Sequence, residues 1–555
     1  MKFLGLLFAA GACASISDLL APRQDLGAIG EATCTEIGKN LAIENVTVNI
    51  AEYLPAGSNI TLSQDYNLTT CGYKFVVNPV DICRLAMKVE TSNQSEITLE
   101  AWLPTNWTGR FLSTGNGGLS GCIQYSELAY TSGLGFATVG GNNGHNGTSG
   151  QAFYINLDIV HDFADRSIHT GVVVGKEITA QYYGCPHNKS YFVGCSTGGR
   201  QGFKAVQTYP EDFDGVVAGA PALSFVALLS WSGHFYPIFG DPGNSKFVPA
   251  ATWTAIHGEV LKQCDGIDGV VDGILEDPSL CNFRPEAMLC SGDNTNSTTC
   301  LTPDQAGAVR EAYSDHYGAD GKLIYPKIQP GSEQVAARMM YTNGPFPYAS
   351  DWYKYVVYSM SNNFPSTEPS FNSSPGNPDW DPKTFSIADY AAAFAQNPFN
   401  IDTWDGDLSA FQNRGGKVLS YHGEQDGIIS SSNSPRYYNH VSRTMGKTSD
   451  ELDDFYRLFR VGGMGHCNGG DGTSFLGQQG SSFAGDLDPQ NNVVMRMVDW
   501  IENGNAPETI TGKKYVNGVV AQGVELVRNH CKYPLRNVCI DPANHTKAEA
   551  WTCVL

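Results

Sequence analysis

The segment from Gly194 to Gly198 carries a residue pattern that is typical of nucleophilic catalysis. It reads Gly-Cys-Ser-Thr-Gly and fits the motif G-x-S-x-G, whose third residue is a serine nucleophile. An apolar run from Ser190 to Val193 precedes it and a helical pattern follows, so the chain turns sharply at Ser196. Such a turn lifts the serine hydroxyl off a sheet and points N–H groups at a nearby oxyanion. The pattern predicts an acyl-transfer nucleophile; the alternative is a tight turn with an inert serine.

A serine hydroxyl is a weak nucleophile, so the site also needs a histidine base and a carboxylate that orients it. In folds with this motif the acid precedes the histidine along the chain. The predicted strand from Lys417 to His422 runs into Glu424 and Asp426, and we predict Asp426 as the acid with Glu424 as its competitor. His466 lies in a glycine-rich loop after the next predicted strand and is the predicted base.

Two other histidines have different interpretations. His422 lies on the predicted strand itself, which favours a packed core residue. His145 lies in a loop rich in glycine and asparagine, and we expect that it could line the pocket.

The cysteines beside the predicted nucleophile and base sharpen this hypothesis. Cys195 precedes Ser196 and Cys467 follows His466, so a hydrogen bond between serine and histidine would bring the two sulfur atoms close together. A disulfide there would close a loop of about 270 residues and stabilise the fold by roughly 5 kcal/mol in the chain-entropy model. The alternative is two ordinary buried thiols.

The oxyanion of the reaction needs backbone N–H donors. Thr197 directly follows the serine and supplies the first predicted donor. The second is expected from the loop Gly115–Gly118, most simply from Gly117, because glycine lets a backbone amide approach the carbonyl oxygen.

An acidic loop follows Cys264 and combines three aspartates with three glycines. Hard oxygen ligands in a bent loop suit Ca²⁺, and three clustered anions without a cation would repel one another. We predict a structural calcium site; the alternative is an acidic turn without a metal. Its ligands would be three carboxylates and two backbone carbonyls, from Asp265, Asp268 and Asp272 and from Val270 and Ile274.

Strand and helix patterns alternate up to about residue 222 and resume near Lys417. Such alternation predicts an α/β fold with a mostly parallel sheet covered by helices on both faces. The residues between are rich in Pro, Asn, Ser and aromatics and have little periodicity. We therefore predict one catalytic domain formed by residues 15–222 and 409–555, with an inserted lid domain formed by residues 223–408 that carries the acidic loop.

The composition narrows the class of partner. Of the 555 residues, 41% are hydrophobic, which rules out disorder as the main state, and the net charge is −21. A chain with this much negative charge repels phosphate backbones and anionic lipid. We therefore expect no nucleic-acid partner and no membrane partner. The sequence leaves open whether the protein is a monomer or a homodimer.

The N-terminus and the cysteines predict a secreted protein. Residues 1–14 combine one lysine, a short apolar run and a small-residue cleavage site, as in a signal peptide. One of the 15 cysteines lies in that segment, and the even number that remains suits disulfides in an oxidising compartment. Ten N-x-S/T sequons predict N-glycosylation, at Asn45, Asn59, Asn67, Asn93, Asn106, Asn146, Asn188, Asn296, Asn372 and Asn544.

These pieces together resemble the fungal tannase and feruloyl esterase family, whose mark is a Cys-Ser, Asp and His-Cys arrangement. The matching parts include Gly115–Gly118, the stretch from Gly194 to Gly202, Asp426 and His466-Cys467. The likeness is strongest to the type B feruloyl esterases, because tannases usually have an acidic residue where Thr197 stands.

The resemblance implies an α/β-hydrolase core with a lid inserted after the sixth strand and a calcium ion in that lid. It implies Ser196, Asp426 and His466 as the triad, bridged by Cys195 and Cys467. It also implies five further disulfides, which pair Cys34 with Cys83, Cys71 with Cys122, Cys264 with Cys281, Cys290 with Cys300 and Cys531 with Cys553. Cys185 and Cys539 have no family partner, and whether they pair with each other stays open.

The implied substrate is a hydroxycinnamate ester, such as a feruloyl, p-coumaroyl or caffeoyl ester of a plant cell-wall sugar. The alternatives are a tannase that cleaves galloyl esters, another aromatic esterase, or a secreted binding protein without activity. Ile428 and Ile429 are expected ring contacts. Aromatic residues of the lid could form a slot for a planar ring, although any single one of them is more often a core residue. They are Trp231, Phe235, Tyr236, Phe239, Phe346, Tyr348, Trp352, Tyr353 and Tyr355.

Overall fold

A nine-stranded sheet forms the centre of the molecule. The structure is a computed structural model that describes residues 30–62, 71–72, 74–291, 298–359 and 379–555. The sheet strands, numbered along the chain, are β1 (Val46–Leu54), β2 (Ile82–Glu90), β3 (Glu96–Pro104), β4 (Arg110–Thr114), β5 (Ala137–Gly141), β6 (Lys189–Cys195), β7 (Gly215–Gly219), β8 (Lys417–Gly423) and β9 (Tyr456–Val461).

The order across the sheet is β1-β2-β3-β5-β4-β6-β7-β8-β9. The pairs among β1, β2, β3 and β5 are antiparallel, and all pairs from β5 to β9 are parallel. A mostly parallel α/β sheet, as predicted, is therefore confirmed. The carboxyl ends of the parallel strands lie at one edge, where ligands bind in open α/β sheets.

Helices cover both faces of the sheet. The strands alternate sides as a period of two requires: Phe192 of β6 packs with Val172 and Phe203 on one face, and Val193 packs with Met497 on the other. The helices are α1 (Glu31–Asn40), α2 (Tyr125–Gly133), α3 (Leu157–His161), α4 (Ser167–Tyr183), α5 (Thr197–Thr208), α6 (Phe225–Phe239), α7 (Ala250–Cys264), α8 (Pro303–Ala312), α9 (Glu333–Ala336), α10 (Pro347–Trp352), α11 (Ile387–Gln396), α12 (Ser409–Asn413), α13 (Asn433–Met445), α14 (Ser449–Leu452) and α15 (Val493–Asn503).

Among the described residues, four two-stranded ribbons lie outside the central sheet. They pair Asn59–Thr61 with Phe75–Val77, His316–Tyr317 with Leu323–Tyr325, Thr509–Tyr515 with Val524–Cys531, and Arg536–Cys539 with Trp551–Val554.

The residues between β7 and β8 form a mainly helical lid. The predicted limits at residues 223 and 408 fall between elements, since α6 begins at Phe225 and α12 begins at Ser409. The lid follows the seventh sheet strand rather than the sixth, because β1 adds an antiparallel edge strand at the start of the sheet. Its core packs around Trp231, Trp253 and Trp352 and continues through Phe163 into the part of the chain that forms the sheet.

All six disulfides that the resemblance implies are present, including the bond between Cys195 and Cys467. Cys539 is a buried free thiol and Cys185 is disulfide-bonded, so these two cysteines do not pair with each other. The predicted signal peptide lies outside the described residues. Over the part of the chain that the structure describes, no helix is both long enough and apolar enough to cross a bilayer.

Candidate active site

The serine of the motif occupies a strained turn between β6 and α5. Ser196 has φ 64° and ψ −121°, a left-handed conformation that a serine rarely adopts. Its N–H donates to the Gly219 carbonyl at 3.0 Å, and its carbonyl accepts from Arg200 N and Ala222 N at 3.0 and 3.1 Å. The helix starts at Thr197, directly after the serine. These backbone bonds hold the strained residue at the edge of the sheet.

Glycines on either side allow the turn to close. A Cβ atom at Gly194 would lie 2.8 Å from the backbone carbon of Gly198, and one at Gly198 would lie 3.0 Å from the Asn116 carbonyl oxygen. Because the obstacles are backbone atoms, a larger residue at either position would displace the serine.

Asp426 and His466, predicted as acid and base, meet at the same edge of the sheet. His466 Nδ1 lies 2.7 Å from Asp426 Oδ2, and the other carboxylate oxygen accepts from Ile428 N and Ile429 N at 2.8 and 3.0 Å. Burial alone would raise the pKa of Asp426, but the charge of His466 and the hydrogen bonds from His422 and His466 together lower it well below its usual value. The carboxylate therefore stays ionised and can orient the imidazole.

His422 has a closer role than the core position that its strand predicts. It is fully buried, as predicted, but Nε2 lies 3.2 Å from Asp426 Oδ2 and Nδ1 lies 2.7 Å from Ser434 Oγ. Two histidines thus share one carboxylate oxygen. In the sequence, only the spacing of four residues between His422 and Asp426 could have indicated this contact. The spacing is informative only when β8 is known to end at Gly423, because the chain can then turn and bring the two side chains together.

Glu424, the competing acid, points elsewhere. Its carboxylate accepts from Ser431 Oγ at 2.8 Å and lies 3.8 Å from Arg460, and no contact joins it to His466. Burial raises the pKa of Glu424, and Arg460 opposes that rise. His145 also lies away from the site, because its Nε2 is taken up by the Leu119 carbonyl at 2.8 Å and it does not line the cavity.

The disulfide joins the elbow to the histidine loop. Cys195 ends β6, Cys467 follows His466, and their Cα atoms are 5.9 Å apart. Ser196 and His466 are both partly exposed and line one cavity. The covalent link fixes the two loops that carry them.

The predicted oxyanion donors border the same cavity. Thr197 Oγ1 donates to the Gly118 carbonyl at 2.7 Å, which ties the glycine loop to the start of α5. Gln201 Oε1 accepts from Asn116 N at 2.9 Å and anchors the other side of the loop. Within the described residues, the N–H groups of Thr197 and Gly117 donate to no protein acceptor, so both are available to a ligand oxygen.

The cavity has a volume of about 340 Å³ and two chemically different walls. The lid and the loop after Asp426 supply an apolar wall, formed by Phe225, Leu228, Leu229, Met339, Phe346, Tyr348, Ile428 and Ile429. Helix α2 and the segment after the histidine loop supply a polar wall, formed by Gln124, Glu127, Gln478 and Gln479.

The lid aromatics differ in whether they reach the cavity. Of the nine considered, Phe346 and Tyr348 line it, whereas Trp231, Phe235 and Trp352 lie only in the lid core, to which Phe346 also belongs. Phe225, which the sequence did not single out, lines the cavity at the start of α6. Ile428 and Ile429 line it as expected.

The acidic loop folds on its own backbone. Asp265 accepts from Asp272 N and Gly273 N at 3.3 and 2.9 Å, Asp268 accepts from Val270 N at 3.1 Å, and Asp272 accepts from Ile274 N at 3.1 Å. Burial, with repulsion from Glu276 and Asp272, raises the pKa of Asp268 to about 7. Among the described residues, no three His, Cys, Asp or Glu side chains are gathered as a metal site.

The sequon asparagines of the described residues all lie at the surface. Seven of the ten asparagines lie in the described residues and all seven are exposed: Asn45, Asn59, Asn93, Asn106, Asn146, Asn188 and Asn544. Asn67, Asn296 and Asn372 lie outside the described residues.

The sheet order, the inserted lid and the serine elbow define an α/β-hydrolase-like fold, and comparison with known proteins gives the family. The family model "Tannase and feruloyl esterase" matches residues 82–554. The chain therefore belongs to the tannase and feruloyl esterase family, and it is a carboxylic ester hydrolase.

Relatives match along almost the whole chain. A probable feruloyl esterase B-2 of Aspergillus terreus is 54% identical over 95% of this chain and 95% of its own. Feruloyl esterase C of Talaromyces stipitatus is 51% identical over 94% of each chain. The solved structure of feruloyl esterase B from Aspergillus oryzae has a TM-score of 0.89 at 48% identity, and covers 94% of this chain and 100% of its own. The tannin acyl hydrolase from Aspergillus niger, at 21% identity and a TM-score of 0.70 over 95% of this chain and 96% of its own, shares the fold.

Proposed function

We propose that the protein is a serine esterase that hydrolyses hydroxycinnamate esters of plant cell-wall sugars. The observation that supports this most is one cavity that contains Ser196, the His466–Asp426 pair and an apolar wall of aromatic and aliphatic side chains. The relatives named as feruloyl esterases, at 51–54% identity, agree with this proposal.

In the proposed mechanism His466 removes the proton of Ser196 as the serine oxygen attacks the ester carbonyl. Asp426 holds the imidazole and stabilises its cationic form. The N–H groups of Thr197 and Gly117 bind the oxyanion. His466 then gives its proton to the leaving alcohol. In the second half of the reaction His466 takes a proton from water, the water oxygen attacks the acyl carbonyl, and His466 returns the proton to the Ser196 oxygen as the acid is released.

The apolar wall favours a cinnamoyl over a galloyl group. A galloyl ring carries three hydroxyls and has no vinyl spacer, so it calls for a shorter and more polar acyl site. Here the lid side of the cavity offers carbon-rich surfaces from Phe225, Leu228 and Phe346, which suit the flat face of a ring. Galloyl esters remain the competing substrate to be measured.

Secretion and glycosylation belong to the same proposal. Six disulfides among the described residues suit an oxidising compartment, and the exposed sequon asparagines are accessible to glycosylation.

We also propose that the acidic loop holds a structural Ca²⁺. The candidate ligand atoms are all oxygens, which a hard cation such as Ca²⁺ prefers. In this structure the carboxylates accept hydrogen bonds from backbone N–H groups and from Arg528, and their oxygens do not converge on one point. Asp265, Asp268 and Asp272 would supply carboxylates, and Val270 and Ile274 would supply carbonyls. The thermal midpoint before and after chelation with EGTA tests this, since a structural ion stabilises by mass action.

The proposed activity is tested with five esters side by side: methyl ferulate, methyl p-coumarate, methyl caffeate, methyl sinapate and methyl gallate. We expect turnover of the cinnamates with little gallate hydrolysis, and its loss in Ser196→Ala. A preference for gallate would assign the protein to the tannases, and activity that survives in Ser196→Ala would contradict the proposed nucleophile.

A further inference from the structure

The polar wall of the cavity has no role in the chemistry described so far. Its carboxylate, Glu127, lies in the first turns of α2 and borders the same cavity as Ser196. It accepts from Gly480 N at 3.0 Å and from Ser126 Oγ at 3.4 Å. Each carboxyl oxygen thus has one protein donor, and no lysine, arginine or histidine of the described residues forms an ion pair with Glu127.

The wall is built rigidly. Tyr130 donates to the Gly477 carbonyl at 2.6 Å and so fixes α2 against the segment that carries Gln478 and Gln479. Both ends of the Gln478 amide are engaged, with Leu476 N at 2.9 Å and with the carbonyls of Ser474 and Cys467 at 2.9 and 3.0 Å. Gln478 therefore supports the wall, and the contact with Cys467 places the wall beside the histidine loop.

That placement identifies the half of the ester that meets the polar wall. In serine ester hydrolysis the histidine that deprotonates the serine gives the proton to the leaving alcohol, so the alcohol departs on the side of the histidine. The wall anchored to Cys467 lies next to His466, whereas the apolar wall comes from the lid and from Ile428 and Ile429. The aromatic acyl group fits the apolar wall, and the polar wall is left for the alcohol.

The chemistry of the wall suits an alcohol with several hydroxyls. A carboxyl group bonds a hydroxyl in either protonation state, because it accepts when ionised and also donates when protonated. Burial raises the pKa of Glu127 to about 7 despite the hydrogen bonds from Gly480 and Ser126, as for an acid with no compensating charge nearby. Gln124 and Gln479 place side-chain amides on the same wall, and one N–H of each donates within the protein, to the Cys122 carbonyl at 3.3 Å and to Ser481 Oγ at 2.6 Å.

We propose that Glu127, with Gln124 and Gln479, forms a binding site for the sugar half of the ester and makes the enzyme select sugar esters over simple alkyl esters. This inference rests on the proposed function, since it assigns the second part of the same substrate. Glu127 acts as a specificity residue and takes no part in proton transfer.

The test compares kcat/KM for a feruloyl ester of arabinose with that for methyl ferulate, in wild type and in Glu127→Gln. The two substrates share the acyl group, so their ratio reports contacts with the alcohol alone. We expect the ratio to fall about tenfold in Glu127→Gln, mainly through KM for the sugar ester. Glu177→Gln, which neutralises an exposed carboxylate on α4, should leave the ratio as in wild type.

Two outcomes would overturn the proposal. An unchanged ratio in Glu127→Gln, with a thermal midpoint equal to that of wild type, would show that the carboxylate does not contact the sugar. The second outcome uses methyl 3,4-dimethoxycinnamate, which lacks the phenol hydroxyl of methyl ferulate. If wild type prefers methyl ferulate and Glu127→Gln loses that preference, Glu127 binds the phenol hydroxyl of the acyl group instead of the sugar. Failure of wild type to hydrolyse either ferulate would contradict the proposed function itself and is a separate result.

Discussion

The catalytic edge of the sheet and the lid wall that faces it are held by different forces. At the edge, Ser196 keeps a strained conformation because backbone hydrogen bonds, close glycine contacts and the Cys195–Cys467 disulfide determine it. In the lid, side chains such as Phe346 are placed mainly by apolar packing. The edge is therefore specified by few, individually essential residues, while the lid wall is specified by many residues of which each contributes modestly. Substitutions should separate the two regions.

The largest effect is expected at the edge. Asp426→Asn keeps the size of the side chain but removes the charge that orients and stabilises His466. We expect kcat for methyl ferulate to fall about 10³–10⁴-fold with little change in KM, as for loss of a triad acid elsewhere. Steady-state kinetics checks this, and a loss below tenfold would argue that another group orients the histidine.

The disulfide at the edge should affect both activity and stability. The double variant Cys195→Ala/Cys467→Ala opens a loop with a sequence separation of 272, and the chain-entropy model gives a loss of about 5 kcal/mol. Because the bond links the loops of Ser196 and His466, we also expect kcat to fall about tenfold or more.

A matched pair in the lid serves as the control for that variant. Cys290→Ala/Cys300→Ala opens a loop with a separation of 10, and the same model gives about 3 kcal/mol. Denaturant unfolding and kcat should show a smaller loss of stability and no loss of turnover. Equal kinetic effects of the two pairs would remove the proposed link between the disulfide and the active site.

The lid wall offers a comparison of two phenylalanines. Phe346→Ala enlarges the cavity, and we expect KM for methyl ferulate to rise about tenfold while kcat changes less. Phe235→Ala lies in the lid core and should lower the free energy of unfolding by about 3–5 kcal/mol without a specific rise in KM. If both variants raise KM alike, the lid acts as one unit and the assignment of individual wall residues is wrong.

The smallest effect is expected at His422. His422→Phe removes a hydrogen bond that lowers the pKa of Asp426, so that pKa rises and the carboxylate protonates at a higher pH. We expect kcat for methyl ferulate to fall several-fold, because the carboxylate that orients His466 loses one of the contacts that fix it. An unchanged kcat would show that His466 and the N–H groups of Ile428 and Ile429 are enough to hold the carboxylate in place.

The sequence predicts the edge far better than the lid. The elbow, Asp426, His466 and the disulfide partners follow from local motifs and from the fixed chain order of the fold, because the required chemistry permits few residues at each position. The cavity wall depends on which faces of the lid helices turn inward. The composition of the lid singled out Trp231, Phe235 and Phe346 equally, and only the packing shows that Phe346 reaches the cavity while the other two do not. The sequence did not predict the His422–Asp426 contact for a related reason. A buried histidine on a strand has the same sequence pattern whether its ring packs against apolar side chains or bonds a carboxylate.

The central claim, that Ser196 is the activated nucleophile of the cavity, is tested most directly by covalent labelling. The protein is treated with a fluorophosphonate, which reacts with activated serines, and the site of modification is determined by peptide mass spectrometry. The account predicts one equivalent of label, on the peptide that carries Ser196, with a proportional loss of methyl ferulate hydrolysis and no labelling in Ser196→Ala. Label on another residue, or full labelling of Ser196 with hydrolysis intact, would contradict it.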